Sequence, residues 1–113
     1  MIKIYHNPRC SKSRQGLEIL ENSGKEFKII RYLDAVASPK ELKEIIDLLN
    51  ITPIQLVRKT EKIWKENFKG KELSDEEIIK AMIENPKLIE RPIIINNNKA
   101  VIGRPSENIL TII

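Results

Sequence analysis

The chain has 113 residues, 41% of them hydrophobic and 32% charged, the make-up of a single domain with a hydrophobic core that needs no staples. Its net charge of +4 sits on acidic and basic residues that alternate, as in Lys40-Glu41-Leu42-Lys43-Glu44, the pattern of solvated helix faces, and few aromatic residues are present to stack on bases. No apolar run reaches membrane-spanning length, and there is no signal-peptide pattern, zinc-ligand spacing or Gly-rich phosphate loop, so a cytoplasmic protein is expected, without membrane, metal or nucleic-acid partner.

Ile2-Lys3-Ile4-Tyr5 alternates as a strand does, and a helix is predicted from about Ser13 to Asn22, with Leu17 and Leu20 inward and Ser23-Gly24 as its stop. Gly16 is costly inside that helix and marks close backbone packing. Phe27-Lys28-Ile29-Ile30-Arg31-Tyr32 reads as a second strand, parallel to the first across a right-handed crossover. Ser38-Pro39-Lys40-Glu41 is a capping box with Pro at the first helical position, followed by the stripe Leu42, Ile45, Ile46 and Leu49. Thr52-Pro53-Ile54-Gln55 repeats the start signal for a short helix carrying Leu56, Val57 and Arg58. A helix over Glu61 to Asn67 holds Ile63 and Trp64. Another opens at Ser74-Asp75-Glu76-Glu77, points Ile78, Ile79, Met82 and Ile83 inward, and ends at Asn85-Pro86. Arg91-Pro92-Ile93-Ile94-Ile95 and Lys99-Ala100-Val101-Ile102 are strands about the turn Asn96-Asn97-Asn98. Gly103-Arg104-Pro105-Ser106-Glu107 leads into a last helix with Ile109, Leu110 and Ile113 inward. This order, with a cysteine after the first strand, predicts an α/β thioredoxin-like fold. Its mixed four-stranded sheet is flanked by helices, and residues 1–113 form one domain with a helical insertion at about 38–87.

The chemistry concentrates in His6-Asn7-Pro8-Arg9-Cys10-Ser11-Lys12-Ser13-Arg14, which holds the only cysteine and the only histidine. A strand feeding a helix here puts Cys10 near unpaired backbone N–H groups and the positive end of the helix dipole, which favour a thiolate. A lone cysteine is most often a small buried hydrophobe, but Arg9, Ser11 and Lys12 are the wrong neighbours for an apolar site. Arg9, Lys12 and Arg14 crowd the end of a helix where cations are unfavourable, unless an anion is held there. Ser11 and Ser13 can cap the helix or donate hydroxyls to that anion. His6 is close in sequence, either a proton shuttle or a satisfied capping or core residue. Arg91 and Arg104 stand at backbone-constrained junctions, Arg58 in the helical stretch; each is either a solvated charge or a guanidinium fork for an oxyanion. With one cysteine, any redox cycle must borrow its second thiol from outside.

His6-Asn7-Pro8-x-Cys10-x-x-Ser13-Arg14, Arg58, Glu90-Arg91-Pro92 and Gly103-Arg104-Pro105-Ser106-Glu107 resemble the glutaredoxin-coupled arsenate reductase (ArsC) family, in order and across essentially the whole chain. The resemblance implies a thioredoxin-like core with a helical insertion and a cis Pro92. It implies that Cys10 attacks arsenate, that His6 tunes it, and that Arg58, Arg91 and Arg104 bind the oxyanion; Ser13 and Arg14 of the loop motif are expected beside it. No cofactor is bound: glutathione is a co-substrate that attacks the Cys10–arsenic adduct, and glutaredoxin resolves the resulting Cys10–glutathione disulfide. A monomer is expected. Two other functions compete. One is a glutathione-dependent thiol oxidoreductase for a different substrate, the other a non-catalytic Spx-like regulator bound to a protein. Ser13 stands where the redox form of the latter has its second cysteine.

Overall fold

Buried Ile2 and Ile4 alternate with exposed Lys3, and in the computed structural model, which describes residues 1–34 and 38–113, Ile2–Tyr5 is accordingly a strand, β1. The chain divides into two compact units, Met1–Ala35 with Arg91–Ile113, and Val36–Glu90. The first unit is built on one sheet of order β2-β1-β3-β4, where β2 is Phe27–Ile30, β3 Ile93–Asn96 and β4 Lys99–Ile102. β2 runs parallel to β1 with Phe27 opposite Ile2; β3 is antiparallel to β1 with Ile93 opposite Tyr5, and β4 antiparallel to β3. This is the mixed sheet of the thioredoxin-like fold. The hairpin needs only Asn97 and Asn98 between its strands, and Asn97 takes a left-handed φ of 57°, which Asn tolerates better than most residues. β2 stops short of the predicted Tyr32 because the Arg31 carbonyl accepts from the Asp34 amide in a turn.

The helix α1, Ser11–Asn22, starts two residues earlier than its periodicity predicts. Ile2, Ile4, Leu20, Ile94 and Ile109 form the core of this unit, with Leu17, Phe27, Val101, Ile112 and Ile113 packed against it. Leu110 is a correction: expected inward, it is 61% exposed. The last helix, Ser106–Thr111, is 3₁₀ rather than α, and with three residues per turn Ile109 and Ile112 share a row that Leu110 leaves.

Gly16 on α1 and Gly103 after β4 face the same proline. A Cβ on Gly16 would lie 2.8 Å from Pro92 Cγ and 3.1 Å from Ile109 Cδ1; on Gly103 the distances would be 2.9 and 3.2 Å. The close packing read from Gly16 is real. Gly16→Ala is expected to destabilise the protein by about 1–3 kcal/mol through overpacking. The measurement is a lower urea midpoint at constant m-value, whereas an unmoved midpoint would mean that the Pro92 ring yields freely.

The second unit is helical: α2 Pro39–Leu49, α3 Pro53–Leu56, α4 Lys62–Asn67, α5 Asp75–Glu84 and a 3₁₀ turn Pro86–Leu88. The start signals work as local chemistry. Ser38 Oγ accepts from Glu41 N at 3.1 Å, Gln55 Oε1 accepts from Thr52 N at 2.8 Å, and Ser74 and Glu77 bond each other's amides in a complete capping box. Leu42, Ile45, Ile46, Leu56, Ile78, Ile79 and Met82 are buried, with α5 packing on α2, α3 and the 3₁₀ turn. Trp64 stacks on Phe68 with ring centroids 5.4 Å apart. Among the described residues no helix is long and apolar enough to cross a membrane.

Candidate active site

The loop between β1 and α1 is organised by Asn7. His6 N donates to Ile30 O at 2.9 Å, which carries the chain past the end of β1. The Asn7 carbonyl then accepts from Cys10 N (3.0 Å), its Oδ1 from Arg9 N (3.0 Å), and its amide donates to Ser13 Oγ (2.9 Å). Arg14 Nη1 donates to Pro8 O at 3.1 Å and ties the helix back to the loop. Cys10 is thereby the residue that caps α1, extended at φ −96° and ψ 123°, with its carbonyl accepting from Arg14 N.

The Cys10 side chain is half-buried and free of any disulfide. It closes no capping hydrogen bond, but its sulfur lies among groups that favour the thiolate. Burial pushes the thiol pKa up. The Ser13 amide, a hydrogen bond from the Arg91 side chain, the Lys12 amide and the Arg91 charge together outweigh it and lower the value to about 7. Near neutral pH a substantial fraction is therefore nucleophile. Arg104 Nη2 lies 3.5 Å from the sulfur, while its Nε donates to the Arg91 carbonyl at 2.8 Å, so one guanidinium is anchored on the backbone of the other arginine. Gly103 N donates to Pro92 O at 2.8 Å. The Arg91–Pro92 peptide is cis, as the resemblance implies; Arg104–Pro105 is cis too, which the sequence reading did not anticipate.

His6 is buried, and its Nδ1 is 2.7 Å from Ser13 Oγ. Burial above all, then the Arg31 charge and to a lesser degree Arg14, lower its pKa against the opposing Ser13 contact, so the imidazole is neutral at pH 7. Ser13 is fully buried, with its hydroxyl shared by His6 and the Asn7 amide and its own N–H among the groups favouring the thiolate. Of the sequence-predicted residues, the structure thus gathers Cys10, Arg91 and Arg104, with His6 and Ser13 beneath the loop and Arg14 turned to the Pro8 carbonyl. Arg58 belongs to the second unit, where its amide donates to Leu88 O at 2.7 Å and its Nε lies 3.5 Å from Glu61 Oε1. The sequence reading missed Asn7 as the loop's organiser and Arg31 as a charge acting on His6. The first had a signal, an Asn-Pro pair just before a helix, which is turn chemistry; the second depends on strand pairing.

A family profile described as the ArsC family matches residues 5–112. The chain belongs to the ArsC family. Among similar proteins, the arsenate reductase of Haemophilus influenzae (strain ATCC 51907 / DSM 11121 / KW20 / Rd) is 46% identical over 112 residues, covering 97% of each chain. The uncharacterised protein YfgD of Escherichia coli (strain K12) is 45% identical over 114 residues, 99% of this chain and 96% of its own. A solved arsenate reductase from Vibrio cholerae superposes with a TM-score of 0.94 at 44% identity, covering 99% of this chain and 97% of that one. In this ArsC chain the arrangement has a definite chemical capacity: a partly ionised sulfur, helix-start amides and two guanidinium groups can hold a tetrahedral oxyanion against a nucleophile.

Proposed function

We propose that the protein is an arsenate reductase that uses glutathione and glutaredoxin as reductants, and that it works as a cytoplasmic monomer with no bound cofactor. The observation that carries this reading is a thiol with pKa about 7 that is hydrogen-bonded by Arg91 and has Arg104 Nη2 at 3.5 Å. The H. influenzae and V. cholerae relatives bear the name arsenate reductase, which supports it.

In the proposed reaction Arg91 and Arg104 bind arsenate, and the Ser13 and Lys12 amides lie beside it. Arg14 keeps the loop closed, and His6 tunes the thiolate through Ser13. Arg58 is included as the third arginine on the resemblance alone. Cys10 sulfur forms a bond to As(V), and one oxygen leaves as water. Glutathione sulfur then bonds to Cys10 sulfur; the electron pair of the sulfur–arsenic bond stays with arsenic, which becomes As(III) and leaves as arsenite. Glutaredoxin takes glutathione from the mixed disulfide and returns Cys10 to the thiolate. The balance is one arsenate and two thiols to one arsenite, one disulfide and one water. The test is arsenate-dependent NADPH oxidation coupled through glutathione reductase. Turnover should require arsenate, glutathione and glutaredoxin together. If Cys10 still exchanges with glutathione disulfide but arsenate drives no turnover, arsenate is the wrong substrate.

A further inference from the structure

Three ion pairs of this chain are solvated. Arg31–Asp34, Lys62–Glu66 and Lys80–Glu84 join side chains that are 59–85% exposed, where such a pair contributes little. Arg58 and Glu61 differ. Their side chains are only 26% and 24% exposed, and Arg58 Nε lies 3.5 Å from Glu61 Oε1. Both belong to the helical unit, where hydrogen bonds fix their backbones. Val57 bridges antiparallel to Ile89, and beside that bridge Arg58 N donates to Leu88 O at 2.7 Å and Glu90 N to Leu56 O at 2.9 Å. The Arg58 carbonyl accepts from Glu61 N at 3.1 Å, in a turn that opens α4. Glu61 caps α4 through its carbonyl, which accepts from Lys65 N, and makes no side-chain capping bond.

The Arg58 guanidinium is neutralised but not saturated. Its Nε and Nη1 are buried, and among the described residues neither has a hydrogen-bond partner. Glu61 therefore supplies these atoms with charge and no hydrogen bond. Buried charged donors are costly to leave unpaired, and a buried cation without an opposite charge beside it is costlier still. A carboxylate that offsets the second cost and leaves the first standing suits a cation whose hydrogen bonds go to a ligand that comes and goes. The ligand that a guanidinium fork fits is an oxyanion.

We infer that Glu61 is the resident counter-ion of Arg58: it stabilises the guanidinium while no oxyanion is bound, and an incoming oxyanion binds against its charge. The inference rests on Arg58 being the third arginine of the proposed function and adds the residue that sets its hold on the anion. Because Glu61 acts through Arg58, it is a positioning residue rather than a catalytic one. A neutral amide in its place removes repulsion from the bound anion and at the same time strips the empty protein of a stabilising charge. An ion pair with a structural role alone would show the second effect without the first.

The experiment measures dissociation constants of arsenate, and of inorganic phosphate as a second tetrahedral anion, by calorimetry on the full chain at low and high salt. Glu61→Gln should bind both anions about fivefold more tightly than the native protein at low salt. That gain should shrink at high salt. Without anion its thermal midpoint should fall, and saturating arsenate should raise the midpoint further than it does in the native protein. Glu61→Asp, which keeps the charge, should stay close to native affinity. Glu66→Gln, which removes the same charge from the exposed pair on α4, should leave affinity unchanged. Arg58→Ala should weaken binding, and adding Glu61→Gln to it should change nothing further. Unchanged or weaker binding in Glu61→Gln, or the same gain with Arg58 absent, would overturn the proposal while Arg58 keeps its place. Native affinity in Arg58→Ala would instead overturn the reading of Arg58 itself, and this inference with it.

Discussion

Cys10→Ser is expected to abolish arsenate-dependent NADPH oxidation, down to the rate without protein, while arsenate binding survives. Both halves follow from the site. Serine keeps the size and the hydrogen-bonding shell but cannot supply the reaction's electrons. The cycle needs a sulfur that bonds to arsenic and then leaves it for a second sulfur, and an oxygen can do neither under these conditions. Its hydroxyl also does not ionise near pH 7, whereas the native thiol does so at about 7. The groups assigned to the oxyanion remain, and the loop geometry rests on Asn7, Ser13 and Arg14 rather than on the sulfur. Removing a partial negative charge from beside the bound anion should hold or tighten the arsenate dissociation constant, measured by calorimetry. Residual turnover in this variant would move the nucleophile elsewhere. Loss of binding together with turnover would mean that the thiolate itself organises the pocket.

The parts of this molecule that can be read from sequence are those whose chemistry is local. Ser38, Thr52 and Ser74 mark helix starts because a side chain and an amide three residues on can satisfy each other with no help from the rest of the fold. The first strand shows because buried Ile2 and Ile4 alternate with exposed Lys3, and β3 shows as an apolar run in which Ile93 and Ile94 are both buried. Leu110 was misplaced because 3.6 and 3.0 residues per turn give different inward rows, and composition does not choose between them. The reactive position of Cys10 was legible from its place before a helix and among cations. The particular groups that act on it were not: Arg91 and Arg104 lie 81 and 94 residues further along and reach it only through the sheet. Ser13 shows the limit most clearly. From sequence its hydroxyl was a cap or a ligand to the anion, yet three-dimensional packing commits it to His6 and the Asn7 amide, leaving its N–H to the sulfur.

Arg91→Ala and Arg104→Ala are expected to weaken arsenate binding by about 1.5–3 kcal/mol each, roughly 10- to 150-fold, the scale of hydrogen bonds to a charged group. They should differ in what they do to the thiol. Arg91 both donates to the sulfur and places a charge beside it, and each effect lowers the pKa. Deleting it removes two effects that stabilise the thiolate, so the pKa is expected to rise and the thiolate fraction at pH 7 to fall. The rate of Cys10 alkylation by iodoacetamide should rise through about pH 7 in the native protein and shift its midpoint to higher pH in Arg91→Ala. Arg104 Nη2 lies 3.5 Å from the sulfur, but its shorter contact is the Arg91 carbonyl at 2.8 Å, and the groups that act most on the thiol are Ser13, Arg91 and Lys12. Arg104→Ala should therefore leave the alkylation midpoint closer to native while costing as much in arsenate affinity. Thermal unfolding separates these effects from collapse of the site, since Arg91 is only 6% exposed and its loss leaves space behind. Equal pH shifts in both variants would mean that the sulfur senses the summed positive charge of the end of the sheet rather than the hydrogen bond from Arg91. Unchanged arsenate affinity in both would return the two arginines to a structural role and leave the helix-start amides and Arg58 as the remaining oxyanion donors.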